Sequence, residues 1–258
     1  MGYSKAIFSG DLIEKYEYEY GPPVRNVKKP GRGKIAPRLV STQKEREANL
    51  ERRRASSIIR SRQSFHRLVR TNLQKGKPYL LTLTMLQVVD LAAAYGIYHE
   101  FTQRFRRVIG KDSAWIAVPE FQKRGAVHFH ILIWDLPYEL GKTERDTRRI
   151  QNLWREGYVD CIPTNGSPRL ASYLGKYMSK AMQDPRLLGK RAYSATRNVL
   201  RPVSLNTKTS IDAASEAWGL TRDTLPTIKR EYDAKWMGKC VYTAYSVVGK
   251  DISDNIRP

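Results

Sequence analysis

An α+β fold, with helices packed on a central, mainly antiparallel sheet, is what this 258-residue sequence predicts. Three observations lead there. VHFHILIW at 127–134 alternates along its length and follows WIAVPE (115–120) across the Gly125-containing connection FQKRGA, which is the pattern of a hairpin. Apolar residues recur every three or four positions from about Gln87 to Ile109, and the stretches 143–157 and 168–182 also pattern as amphipathic helices. The two patterns then interleave as strand, helix, strand–strand, helix, strand, helix.

Taken in order, the N-terminal sequence MGYSKAIFSGDLIEK lacks the apolar core of a signal peptide. GPPVRNVKKPGRGKIAPR at 21–38, rich in Pro, Gly and basic residues, reads as a linker or mobile arm. QKEREANLERRRASSIIRSRQSFHRLVR at 43–70 has the composition of a basic helix with an imperfect apolar stripe; a solvated face and a phosphate-contacting face fit it equally. After KGKP, YLLTLTML forms a strand in which Leu81 and Leu83 alternate with Thr82 and Thr84. The helix that follows repeats Val88, Leu91, Tyr95, Tyr98, Phe101, Phe105 and Val108 at three- and four-residue intervals and stops at Gly110. Pro119 in the next strand requires an edge position or a bulge. YVDCIP (158–163) is a short strand, and PRLASYLGKYMSKAM (168–182) places Pro168 near a helical first turn. Residues 203–226 mix polar turns with SEAWGL, and 227–248 read as a helix and a short strand. Three regions result: a basic arm and helix at 1–75, a sheet-and-helix domain at 76–200, and a C-terminal extension at 201–258 packed on that core.

Charge narrows the partners. The 46 Lys/Arg against 25 Asp/Glu leave +21, and 16 of those cations against 3 acids fall between Arg25 and Lys75. Such a chain attracts polyanions, nucleic acid first and an anionic membrane surface second. No stretch of 18 apolar residues occurs, which excludes an obvious transmembrane helix. Cys161 and Cys240 form no close-spaced motif, which fits a reducing compartment and argues against a zinc ribbon. A soluble cytoplasmic protein is therefore expected. The absence of GxxxxGK[ST] gives the sequence no helicase motor of its own.

Two stretches carry chemistry. Of the four histidines, His128 and His130 sit two apart in a strand and project to the same side, while Val127, Phe129, Ile131 and Ile133 face the other. Alone, such a pair is more often structural than catalytic. Glu120, just before the hairpin connection, would complete a two-imidazole, one-carboxylate set, with Gln122 as an alternative polar group. Mixed N/O ligands suit Mg²⁺ or Mn²⁺ polarising a phosphate oxygen, and Zn²⁺ is compatible on ligand chemistry. Downstream, Tyr173 and Tyr177 are one helical turn apart, as are Lys176 and Lys180 on a neighbouring face. The tyrosines fit amphipathic packing or a pair of phenolic nucleophiles with cationic helpers. Phenol, with an ordinary pKa of about 10, needs that help near neutral pH. His66 and His99 read as surface or packing residues, Trp115, Trp134 and Trp154 as packing residues, and GKRAYSATRNVLRP (189–202) as a DNA-contacting loop or strand, or a solvated loop.

With LTLT (81–84), HFH (128–130) and YLGKYMSK (173–180) in order, the chain resembles the HUH-type replication initiators of rolling-circle plasmids, phages and single-stranded DNA viruses. The resemblance spans roughly residues 76–200 and implies an HUH endonuclease-like (palm/RRM-like) domain. It implies His128 and His130 as ligands of a divalent metal, with Glu120 completing the shell. Tyr173 and Tyr177 become nucleophiles, with Lys176 and Lys180 as auxiliary cations. It further implies nicking of one DNA strand at an origin, a covalent 5′-phosphotyrosine, and rejoining. Single-stranded DNA and an origin hairpin or duplex would be the substrates, with host helicase and DNA polymerase as partners. A mobilisation relaxase or a two-tyrosine transposase would use the same chemistry, and a non-catalytic DNA-binding regulator would account for the charge alone.

Overall fold

A computed structural model describes residues 2–23, 42–136, 144–187 and 190–247; the arm read at 21–38 therefore lies outside the described residues from position 24 onward. In chain order the elements are β1 (Tyr3–Ser9), β2 (Leu12–Tyr18), α1 (Gln43–Asn72), β3 (Tyr79–Thr84), α2 (Leu91–Ile109), β4 (Ala114–Phe121), β5 (Val127–Trp134) and α3 (Glu144–Trp154). They continue as β6 (Val159–Pro163), α4 (Arg169–Gln183), β7 (Ser194–Ala195), β8 (Val203–Leu205), α5 (Lys208–Ala217), β9 (Ile228–Ala234) and β10 (Gly238–Ser246). The fold is α+β, with two five-stranded sheets whose recorded pairings are antiparallel. Contacts divide the chain into two units: Ser9–Asp11 with Ser61–Pro202, and Met1–Phe8 with Leu12–Arg60 and Val203–Pro258. None of the described helices is long and apolar enough to cross a membrane.

In the first of these units the strands run β6-β3-β5-β4-β7. Strand alternation sends Leu81, Leu83, Trp115, Ala117, Phe129, Ile131 and Ile133 to one face, where they bury against Tyr98, Phe101 and Phe105 of α2 and Ile150 and Trp154 of α3. The other face buries Leu80, Ile116, Val118, Leu132 and Trp134 against Ala171, Leu174 and Met178 of α4 and Phe65, Leu68 and Val69 of α1. The tryptophans expected to pack, Trp115, Trp134 and Trp154, are all buried. Trp154 is fully covered, meets Phe101 edge-on at 5.6 Å and donates from Nε1 to the Thr84 carbonyl at 3.0 Å. Trp154→Ala leaves both a void and an unmet carbonyl; it is expected to lower stability by roughly 3–5 kcal/mol in urea denaturation, and a loss below about 1 kcal/mol would contradict this packing.

Local chemistry explains several boundaries. α2 begins at Leu91 rather than Gln87 because the Asp90 carboxylate caps it, accepting from Ala93 N–H at 2.8 Å. The basic segment is helical from Gln43 and starts with a capping box: Thr42 Oγ1 accepts from Glu45 N–H and Glu45 returns the bond to Thr42 N–H. Pro119 pairs in register with Phe129 without a bulge. β7 covers β4 only at Ile116 and Ala117, so Pro119 occupies a local edge, as its missing N–H requires.

The other unit orders its strands β8-β1-β2-β10-β9 and buries Ala6, Phe8 and Ile13 under Ile211 of α5 and Trp218. Here the sequence expectation fails. The stretch 203–226 contains a strand and the helix α5, and 227–248 holds no helix but a long hairpin, β9 and β10. IKREYDA puts Ile228, Tyr232 and Ala234 on one face, but Arg230 interrupts that row and six of the seven residues are exposed, so the hydrophobic signature is weak and the strand is held by backbone pairing.

Candidate metal and tyrosine site

The hairpin register builds the site. Glu120 stands directly across from His128, and His130 lies between Val118 on one neighbour and Thr82 on the other. Three strands thus deliver Glu120, His128, His130, Thr82 and Thr84 to one face of one sheet, the face on which α4 packs. LTLT, expected to flank the site, supplies both threonines.

One ligand atom each from Glu120, His128 and His130 lies within 4.8 Å of the others, so the three could hold a metal ion. His130 Nε2 meets Glu120 Oε2 at 2.9 Å, and its Nδ1 lies 3.4 Å from Thr82 Oγ1. Lys180 Nζ donates to the other carboxylate oxygen, Oε1, at 2.6 Å. Both partners orient the carboxylate, with Oε2 toward the histidines. His128 Nε2 is buried without a hydrogen-bond partner. An orphaned imidazole nitrogen beside a carboxylate and a second imidazole is what a cation-binding set requires. The donor set fits a divalent metal.

The electrostatics agree with that fit. Burial works to raise the Glu120 carboxyl, but the Lys180 and His130 hydrogen bonds outweigh it and hold the group below its ordinary range. Burial, reinforced by neighbouring His130, lowers the His128 imidazole. An ionised carboxylate and an imidazole biased toward its neutral form are the ligating species.

The tyrosines stand over this cluster. The α4 core stripe is carried by Ala171, Leu174 and Met178, which frees Tyr173 and Tyr177 from being its main packing residues. The Tyr177 ring stacks on His130 at 4.3 Å, and its hydroxyl donates to Tyr173 Oη at 2.6 Å. Tyr173 is 45 % exposed. The bond to Tyr173, with burial and the negative charges around it, pushes the Tyr177 phenol up to about 12.

The remaining expected residues separate. Lys180 joins the cluster; Lys176 is exposed one turn earlier. The Gln122 side chain accepts from Arg124 in the hairpin turn, leaving Glu120 as the carboxylate of the set. His99 is exposed and bonded to Gln103 at 2.8 Å, and His66 is half-buried on α1. Tyr193, in the 189–202 stretch, packs edge-on against Phe65 at 5.3 Å. Thr82, which positions His130, was not singled out by sequence reasoning; its place opposite a histidine exists only through strand register.

Two comparisons return nothing: no curated protein and no solved structure matches the chain. Residues 78–182, from the start of β3 to the last turn of α4, match a model of the family described as replication-associated protein ORF2/G2P.

Proposed function

We propose that this chain is a metal-dependent DNA nicking and joining enzyme that initiates rolling-circle replication. The family match supports a role in replication initiation. The observation that carries the finer reading is the stacking of Tyr177 on His130, at 4.3 Å, above a set of three metal-ligand donors. A regulator that only binds DNA has no use for that juxtaposition.

In this reading a tyrosine oxygen attacks a backbone phosphorus and the P–O3′ bond breaks. A 5′-phosphotyrosine forms, and the departing oxygen takes up a proton to become a free 3′-OH. One phosphoester replaces another, so a 3′-OH can reverse the step without ATP. A divalent cation held by Glu120, His128 and His130, Mg²⁺ or Mn²⁺ from the donor types, would polarise the scissile phosphate. Thr82 orients His130, and Lys180 orients Glu120 while placing an ammonium beside the phosphate site. The hydroxyl contact between Tyr177 and Tyr173 puts two nucleophiles at one site, which permits one to hold a DNA end while the other cleaves.

The test incubates the protein with a labelled, randomised pool of single-stranded DNA. An SDS-resistant, protease-sensitive adduct is expected with Mn²⁺ or Mg²⁺ and none with EDTA. No adduct with either metal would overturn the nickase reading.

A further inference from the structure

The unit built on β1, β2, β8, β9 and β10 has two unlike sheet faces. One is covered by α5 through Ala6, Phe8 and Ile13. The other collects tyrosines. Strand alternation puts Tyr16 and Tyr18 of β2 on it, and register aligns Tyr18 with Cys240 and Tyr232, and Tyr16 with Tyr242 and Arg230. Tyr3 of β1 joins them, its ring 5.9 Å from that of Tyr18. Tyr16 stands 6.3 Å from Tyr18 with nearly parallel rings, and 5.0 Å from Tyr242. The result is an aromatic layer across four adjacent strands.

Three further features describe what this layer fits. Its acidic residue, Glu14, is buried and accepts the hydroxyls of Tyr16 and Tyr242, which fixes those rings. Along the strands the other charged residues on the face are cations, Lys5 and Arg230, while at its turn end the exposed Glu19 carboxylate accepts the Tyr20 hydroxyl at 2.7 Å. At its end the β9–β10 turn carries Trp236, 74 % exposed with Lys235 over its ring at 5.2 Å, beside Tyr20, whose N–H bonds Met237. Tyr232 is also exposed, at 46 %. Large aromatics do not stay in water without a partner to cover them as readily as in a core, and here they are grouped rather than scattered.

We infer that this face is a stacking platform for single-stranded DNA, separate from the metal and tyrosine site. Unpaired bases have free faces that stack on tyrosine and tryptophan, while the flanking cations take the backbone phosphates. The attraction for phosphate comes from Lys5 and Arg230 on this face and, at longer range, from the +21 charge of the chain, most of it concentrated between Arg25 and Lys75. The choice of DNA over RNA rests on the nickase reading; the platform does not.

The test measures binding of labelled oligo(dT), oligo(U) and a blunt duplex to the full-length protein in EDTA, where no nicking contributes. The Tyr232→Ala/Trp236→Ala variant removes two exposed rings and no charge. Its affinity for oligo(dT) is expected to fall by about tenfold or more, since each base–aromatic stack is worth roughly five- to a hundredfold. Duplex affinity and the thermal midpoint should stay put, and the tryptophan fluorescence quenched by oligo(dT) should be lost. Oligo(dT) binding within twofold of wild type, an equal loss on duplex, or a tenfold preference for oligo(U) would overturn the proposal. The readout is binding in EDTA and not adduct formation, so the assay stands whether or not the nickase reading does.

Discussion

Replacing both Tyr173 and Tyr177 with phenylalanine is expected to abolish the covalent DNA adduct, while each single replacement retains a measurable fraction. The reasoning is geometric. The two hydroxyls touch at 2.6 Å, so a phosphate within reach of one is close to the other. At Tyr177 phenylalanine keeps the ring that stacks on His130 and deletes only the hydroxyl. Removing every nucleophile costs at least on the order of a thousandfold in rate, because the remaining groups can only bind and polarise the substrate. Denaturing gels with labelled single-stranded DNA make the measurement, with thermal melting to show that the variants fold. Full adduct yield from the double variant would place the nucleophile elsewhere. Loss in one single variant alone, with the other at wild-type level, would show that one tyrosine does all the work.

The second large effect concerns the cation. The His128→Ala/His130→Ala variant should lose Mn²⁺ binding by titration calorimetry and lose adduct formation together, by on the order of a thousandfold. His128 is the sharper probe of the two, since its buried Nε2 has no hydrogen-bond partner. Removing it deletes a candidate ligand without breaking a side-chain hydrogen bond at that nitrogen. His130→Ala, by contrast, also strips Glu120 of a partner. Glu120→Gln should weaken Mn²⁺ while leaving the fold intact, because an amide can still accept from Lys180. Retention of Mn²⁺ affinity in the double histidine variant would dismiss the three-residue set.

The elements of the metal and tyrosine unit were legible because each has a local signature. VHFHILIW announces a strand through alternation, and its limits match β5. YLGKYMSK announces a helix with both tyrosines on one side, and α4 carries it. The second sheet was not legible to the same degree. YEYEY at 16–20 alternates tyrosine with glutamate and signals a strand with an aromatic face, yet Tyr18 becomes informative only when Tyr232, more than two hundred residues later, is paired beside it through Cys240. β9 has almost no buried residues, so its sequence reads as polar and its strand is imposed by pairing with β10.

Composition and periodicity by themselves determined that the chain is basic, α+β, and bears two histidines and two tyrosines at spacings suited to shared faces. These are properties of neighbouring residues, and covalent geometry transmits them directly. Only the tertiary structure decided that Glu120 faces His128, that Lys180 and not Lys176 reaches the carboxylate, and that Tyr177 lies on His130. Each of these depends on strand register and on which sheet face receives α4. A slip of one residue in either strand would turn Glu120 or the two histidines toward α2 and α3, and no local pattern records that register until the core has packed around it.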